Sequence, residues 1–196
     1  MGLRYNISKF IISSWVGDIQ VFKIPPFIFF GASSYKLKGH MQREIIDLMQ
    51  PGDVFMRRYD SYIAGRMIPG FWSHCGVYVG DNLVLHASPN GGVIKEDVLT
   101  FFRTDYVAVL RVPEIIREQV KEEVPVEARK YLGTDYDYEF DFSKPNALSC
   151  TEYMQVLYNK YPGIDIRPIN SGIFKGKVPP DQMFKAGFLQ IFSNRT

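Results

Sequence analysis

The sequence predicts an α+β fold, in which a small and mostly antiparallel sheet packs against helices. Three stretches of the 196-residue chain support this: a β-hairpin at 73–87, a strand at 106–112 and an amphipathic helix at 147–160. Apolar residues make up 46% of the chain, which is enough for one hydrophobic core. The net charge of +2 is too small to indicate nucleic-acid binding.

The first 44 residues form an apolar N-terminal arm, and residues 45–196 form the domain. No apolar run in the arm reaches the ~20 residues needed to cross a bilayer, and the start lacks a clear signal sequence. We therefore expect a cytoplasmic protein. Two interpretations of the arm stay open: it packs over the core, or it offers an apolar surface to an acyl chain or a membrane, which would make the protein membrane-peripheral.

The hairpin carries two of the chain's three histidines. β-Prone residues flank the turn-forming Gly80-Asp81-Asn82, and His74 and His86 are equidistant from Gly80. Reversal about Gly80 places the two imidazoles directly opposite each other, with Cβ atoms about 4.5–5.5 Å apart. Two facing imidazoles are what a catalytic base and its orienting partner require.

The elements that flank the hairpin follow from local patterns. A short amphipathic helix is expected at 40–50 and a strand at 53–57. After the hairpin we expect a short strand at 93–94, a helical turn at 96–102 and a helix at 113–132 that Pro125 kinks or divides. A short helix at 181–186 and a strand at 188–192 complete the chain.

Cys150 is the predicted nucleophile. It begins an apolar stripe at helical spacing, and Asn146 or Ser149 can cap that helix. A helix N-terminus favours a thiolate, and its free N–H groups can stabilise an oxyanion. Taken alone, Cys150 also fits a buried core cysteine. Its combination with His74 and His86 favours catalysis.

Cys75 alternates with His74 along the strand and should face the other side of the sheet, so we predict core packing and no disulfide with Cys150. The same alternation argues against a metal site built from His74, Cys75 and His86, and no acidic cluster completes the ligands. No metal and no cofactor are predicted. A catalytically silent binding module is the other alternative, against which the intact Cys–His–His set argues.

The stretch His74-Cys-Gly-Val-Tyr-Val-Gly80, followed by His86, resembles the histidine hairpin of NlpC-like papain-fold peptidases. In those enzymes the cysteine precedes the histidines, whereas Cys150 follows them. This order resembles the circularly permuted branch, which contains YiiX-like and YaeF-like bacterial proteins and lecithin–retinol acyltransferase with its relatives. Further similar segments are Leu48 to Phe55, Gly133 with Tyr136-Asp137 and Phe140, Cys150-Thr-Glu152 and Val178-Pro-Pro-Asp181.

The resemblance implies a permuted papain-like fold and a cysteine hydrolase. His74 would take the proton of Cys150, giving a thiolate–imidazolium pair, and His86 would orient His74. The YiiX-like branch carries a glutamate at the position of His86, and the acyltransferase branch carries a histidine. Tyr78, on the same face of the strand as His74, and Tyr136 are expected to line the substrate site, with a folding role as the alternative.

Two questions stay open at this level. The substrate is a small amide, a peptide or a lipid acyl group. The acceptor is water in a hydrolase, or an amine or alcohol in an acyltransferase.

Overall fold

The computed structural model describes residues 35–60, 68–138, 142, 146–172 and 175–195, together with the backbone of 19–23 and 26–30. The chain divides into two units, Met1–Tyr35 and Lys36–Thr196. In the first unit, strand β1 (Ile19–Lys23) pairs antiparallel with β2 (Pro26–Phe30). The other residues of this unit before Tyr35, and all of its side chains before Tyr35, lie outside the described residues. The predicted contacts of the arm with the core or a membrane therefore stay predictions.

The second unit contains a six-stranded sheet. Its strands are β3 (Val54–Arg58), β4 (His74–Tyr78), β5 (Leu83–Ser88), β6 (Gly92–Asp97), β7 (Tyr106–Arg111) and β8 (Leu189–Ser193). The order across the sheet is β6-β5-β4-β3-β7-β8, and every neighbouring pair is antiparallel. The predicted α+β class is confirmed.

Four α-helices and one 3₁₀ helix accompany the sheet within the described residues. They are α1 (Gly39–Leu48), α2 (Val98–Phe101), α3 (Glu114–Arg129), α4 (Cys150–Tyr158) and the 3₁₀ helix Pro180–Lys185. α3 continues through Pro125, so the proline does not divide the helix. In the part of the chain that the structure describes, no helix has both the length and the apolar character needed to span a bilayer.

The sheet separates two apolar clusters because alternate strand residues point to opposite faces. On one face, Cys75, Val77 and Leu85 pack with residues of α3 and α4. On the other face, Tyr78 and Val84 pack with residues of α1 and α2. A site residue on β4 or β5 is therefore assigned to a helix layer by its position in this alternation.

The hairpin between β4 and β5 reverses one residue later than expected. Its loop is Gly80-Asp81-Asn82, with φ of 86°, 53° and 57°, a left-handed run that glycine, aspartate and asparagine tolerate. Val77 pairs with Leu85, so the centre is Asp81 and direct opposition of the two histidines about Gly80 is wrong. Continuing this register, His86 lies opposite Gly76.

Gly76 is required by this pairing. A Cβ atom at Gly76 would lie 2.8 Å from Val84 Cγ1 and 3.0 Å from His86 Cβ. Both distances are shorter than side chains normally allow, so any side chain at this position would push β5 away from β4.

We therefore expect Gly76→Ala to lower the free energy of unfolding by about 1–3 kcal/mol, the range for an overpacked site. Urea denaturation followed by circular dichroism measures this. Gly39→Ala is the matched control, because a Cβ there meets only Arg43 Nη1 at 3.9 Å. Equal stability of the two variants would contradict the prediction.

Candidate active site

The two histidines of the hairpin touch diagonally. His74 Nε2 lies 2.8 Å from His86 Nδ1, and the two ring planes cross at 88°. Phe101 of α2 covers both rings, with centroids 6.2 Å and 5.6 Å away. Because Gly76 has no side chain, nothing at its position stands between the imidazoles. The predicted contact of the two imidazoles therefore forms, though not by direct opposition.

A polar row continues from this pair to both sides. His86 Nε2 lies 3.2 Å from Glu96 Oε2 on β6, and the same oxygen accepts from Arg57 Nη1 on β3 at 3.0 Å. Arg57 is also the register partner of His74, and its guanidinium lies 4.2 Å from the centre of the Phe101 ring. Four adjacent strands thus each place one polar side chain on the same face of the sheet.

The sequence pattern did not reveal Glu96 or Arg57 as parts of the site. Glu96 was expected on a helical turn at 96–102, but β6 runs to Asp97 and the helix begins at Val98. The signal was the alternation in Gly92–Asp97: Ile94 pairs with His86, so Glu96, two residues further on, shares the histidine face.

The histidines lie in an environment that favours the neutral imidazole. Burial lowers the pKa of His74 well below its usual value, and the charges of Arg57 and His86 lower it further. Burial also lowers the pKa of His86, and the contact with Glu96 only partly opposes this. Both rings are therefore neutral at pH 7.

Cys150 is the first residue of α4, three positions after the start expected at 147. Ser149 is the N-cap: its Oγ accepts from the N–H of Glu152 at 3.3 Å, and Glu152 Oε2 accepts from the N–H of Ser149 at 2.7 Å. Glu152 Oε1 accepts from the N–H of Phe142 at 2.6 Å. This reciprocal capping box fixes the helix start that carries the thiol.

Cys150 faces Cys75 across the interface between α4 and β4. The Cys75 thiol donates to the backbone oxygen of Cys150 at 3.3 Å, and both cysteines are free. Cys75 lies on the face opposite His74, as predicted, but its contact with the nucleophile was not foreseen. Cys75 packs in the hydrophobic core and also contacts Cys150.

The surroundings of Cys150 favour its thiolate. The neighbouring Cys75 side chain lowers the pKa of Cys150, and burial opposes this. The N–H groups of Cys75 and Thr151 and the charge of Arg57 lower the pKa of Cys150 further. Burial and the neighbouring Cys150 raise the pKa of Cys75 well above its usual value, so Cys75 stays a thiol.

The structure brings together His74 with His86, and Cys150 with Cys75. Cys150 is 3% exposed and makes no hydrogen bond to either histidine in the described structure. α4 nevertheless packs on β4 and β5, the strands that carry the histidines. Nδ1 of His74 has no hydrogen bond to another described residue.

The two tyrosines expected to bind substrate lie in different surroundings. Tyr136 is half-buried, and burial and the neighbouring Cys150 raise its pKa, so it lies close to the thiol. It lines a cavity of about 690 Å³ together with Tyr138 and Asn146. Tyr78 is 7% exposed and its ring stacks on Phe55 at 5.8 Å, which is a packing position. Phe140 lies outside the described residues.

Metal binding finds no support in the donor arrangement. Across the described ranges, no group of three or more histidine, cysteine, aspartate or glutamate side chains could hold a metal ion. His74 and Cys75 point to opposite faces of β4.

Comparisons with known proteins agree with this geometry. The model of a family described as permuted papain-like amidase enzymes, YaeF/YiiX, C92 family, matches residues 48–185. The crystal structure of the metalloprotein yiiX from Escherichia coli O157:H7 superposes with a TM-score of 0.60 at 18% identity, covering 74% of this chain and 97% of that one. This likeness shows the fold. No sequence among the curated proteins matches the chain.

We expect Ser149→Ala to lower the free energy of unfolding by about 1 kcal/mol, the usual effect of losing an N-cap side chain. Urea denaturation measures this. Ser171→Ala, at an exposed serine outside the helices, is the control and should leave stability unchanged. A Ser149→Ala variant as stable as this control would show that the capping box does not hold the helix start.

We expect Cys75→Ala to raise the pKa of Cys150, because the variant removes the neighbouring side chain that lowers this pKa most. The alkylation rate of Cys150 by iodoacetamide, followed against pH by mass spectrometry, should shift to higher pH. An unshifted profile would mean that Cys75 serves packing alone.

Proposed function

Because the chain belongs to the family of permuted papain-like amidases that includes YaeF and YiiX, we propose that Cys150 is its nucleophile, His74 its general base and His86 the partner that orients His74. The chain is a cysteine-dependent hydrolase. The observation that supports these roles best is the position of Cys150. It is the first residue of a capped helix that packs on β4 and β5, the strands of the histidine pair, and its pKa is lowered.

The first half of the reaction forms an acyl-enzyme. Nδ1 of His74 accepts the Cys150 proton as the sulfur attacks the carbonyl carbon of an amide, and a C–S bond forms. The developing oxyanion is held by the N–H of Cys150 at the start of α4. The His74 imidazolium then donates its proton to the leaving nitrogen, the C–N bond breaks and an amine departs.

The second half regenerates the enzyme. His74 takes a proton from water, and the resulting hydroxide oxygen attacks the thioester carbon. The C–S bond then breaks to release the acid, and the His74 imidazolium returns its proton to the Cys150 sulfur. Burial lowers the pKa of His74 well below its usual value, and we therefore place its proton uptake during the attack on the carbonyl group.

The proposed substrate is a small amide or a peptide, and water is the acceptor. Both follow from the amidase description of the family. Tyr136, which lines the cavity and whose pKa is raised by the neighbouring Cys150, is proposed as a substrate contact. Tyr78 is 7% exposed and stacks on Phe55, so a substrate could reach it only if this packing opened.

His74→Ala should slow alkylation of Cys150 by iodoacetamide at pH 6.5 by about tenfold or more. The reason is that the variant removes the base that takes the thiol proton. Peptide mapping by mass spectrometry reports the label on Cys150 separately from that on Cys75.

The control is His40→Ala, which removes an exposed histidine on α1 and should leave the rate unchanged. If Cys150 reacts as an ordinary thiol and His74→Ala has no effect, Cys150 is a core residue and the proposed roles are wrong.

A further inference from the structure

We propose that Glu96 is a positioning residue of this active site: acting through His86, it fixes the imidazole tautomer of His74 that leaves Nδ1 free to accept the Cys150 proton. The inference rests on the proposed function. It assigns a role to a carboxylate on β6 that the Cys150–His74–His86 set does not include.

The geometry is a continuous row of short contacts. Glu96 Oε2 is 3.2 Å from His86 Nε2, and His86 Nδ1 is 2.8 Å from His74 Nε2. The side chain of His86 is 2% exposed and that of Glu96 is 22% exposed. Water therefore has little access to His86, and the carboxylate is the acceptor within reach of its Nε2.

The row determines where the protons lie. A carboxylate only accepts, so the proton of a neutral His86 belongs on Nε2, and its Nδ1 carries a lone pair. That lone pair accepts from Nε2–H of His74. A neutral His74 has one ring proton, so its Nδ1 carries the lone pair that the proposed base requires.

Loss of the carboxylate would favour the opposite arrangement. Nε2 of His86 is a buried atom that lies 3.2 Å from Glu96 Oε2 without hydrogen-bond alignment, and it has no hydrogen bond to any described residue. A buried N–H without an acceptor is costly. With Glu96 gone, His86 would move its proton to Nδ1 and donate to His74, which would then carry its own proton on Nδ1 and could not act as a base there.

Arg57 keeps the carboxylate available for this role. Its Nη1 donates to the same Oε2 at 3.0 Å, and stacking over Phe101 at 4.2 Å fixes the guanidinium. Burial raises the pKa of Glu96, but the contact with His86 and the charge of Arg57 outweigh this, and the pKa is lowered. Glu96 is therefore ionised at neutral pH.

The direct test is ¹⁵N NMR of the histidine rings in the full chain, where long-range ¹H–¹⁵N couplings distinguish the two tautomers. At pH 7.5 we expect both His74 and His86 as Nε2–H tautomers. His40→Gln and the two other single His→Gln variants assign the three rings. A His86 ring protonated on Nδ1 in the wild-type chain would overturn the proposal without any further variant.

The second test compares two substitutions of Glu96. Glu96→Ala removes the acceptor, and we expect His74 to move toward the Nδ1–H tautomer and Cys150 alkylation at pH 7.5 to slow by about tenfold. Glu96→Gln keeps a side-chain oxygen and should retain the wild-type tautomers. Glu118→Gln, at an exposed carboxylate of α3, is the matched control and should change neither readout.

The two proposals fail in different ways. Unchanged tautomers and an unchanged alkylation rate in Glu96→Ala would overturn the role of Glu96 alone. An ordinary thiol profile of Cys150 that is insensitive to His74→Ala would overturn the proposed function, and with it any catalytic role for Glu96.

Discussion

The close pairing of β4 with β5 at Gly76 is the constraint on which the site depends. The three left-handed residues Gly80–Asn82 set the register of this pair, and Gly76 allows the strands to approach. A shift by one residue would send either His74 or His86 to the opposite face of the sheet, because strand side chains alternate. The turn conformation and one missing side chain therefore determine whether the histidines can touch.

Strand β4 connects two environments through consecutive residues. His74 points to the face shared with Phe101 and the polar row, and Cys75 points to the face covered by α4. His74 and Cys75, the residue that contacts Cys150, thus lie on opposite sides of the same backbone. Arg57, the neighbour of His74 on β3, influences both, since its charge lowers the pKa of His74 and that of Cys150.

The acidity of Cys150 has local sources. The side chain and N–H of Cys75, the N–H of Thr151 and the charge of Arg57 favour its thiolate, and burial opposes them. His74 is not among these sources, and burial lowers its own pKa. The pKa of the base His74 is lowered by burial, and the pKa of the Cys150 thiol is lowered by its neighbours. Such a pair is suited to proton transfer during attack on a carbonyl group.

The sequence by itself determined the features that depend on neighbouring residues. The hairpin at 73–87, the strand at 106–111 and a capped helix at Cys150 follow from alternation, turn residues and the capping pattern Ser149-x-x-Glu152, all within a few positions. The similarity of the hairpin and of the Cys150 segment to permuted papain-like enzymes also lies in the sequence, and the family match over 48–185 confirms it.

Only the tertiary structure decided the register of the histidines and the residues that surround them. Arg57 and Glu96 meet although 39 positions separate them, and Cys75 meets Cys150 across 75 positions. Such contacts depend on which strands are neighbours and on how each pair is aligned, and packing of the whole sheet fixes both. No local pattern contains this information, because a strand alternates in the same way whichever partner it pairs with.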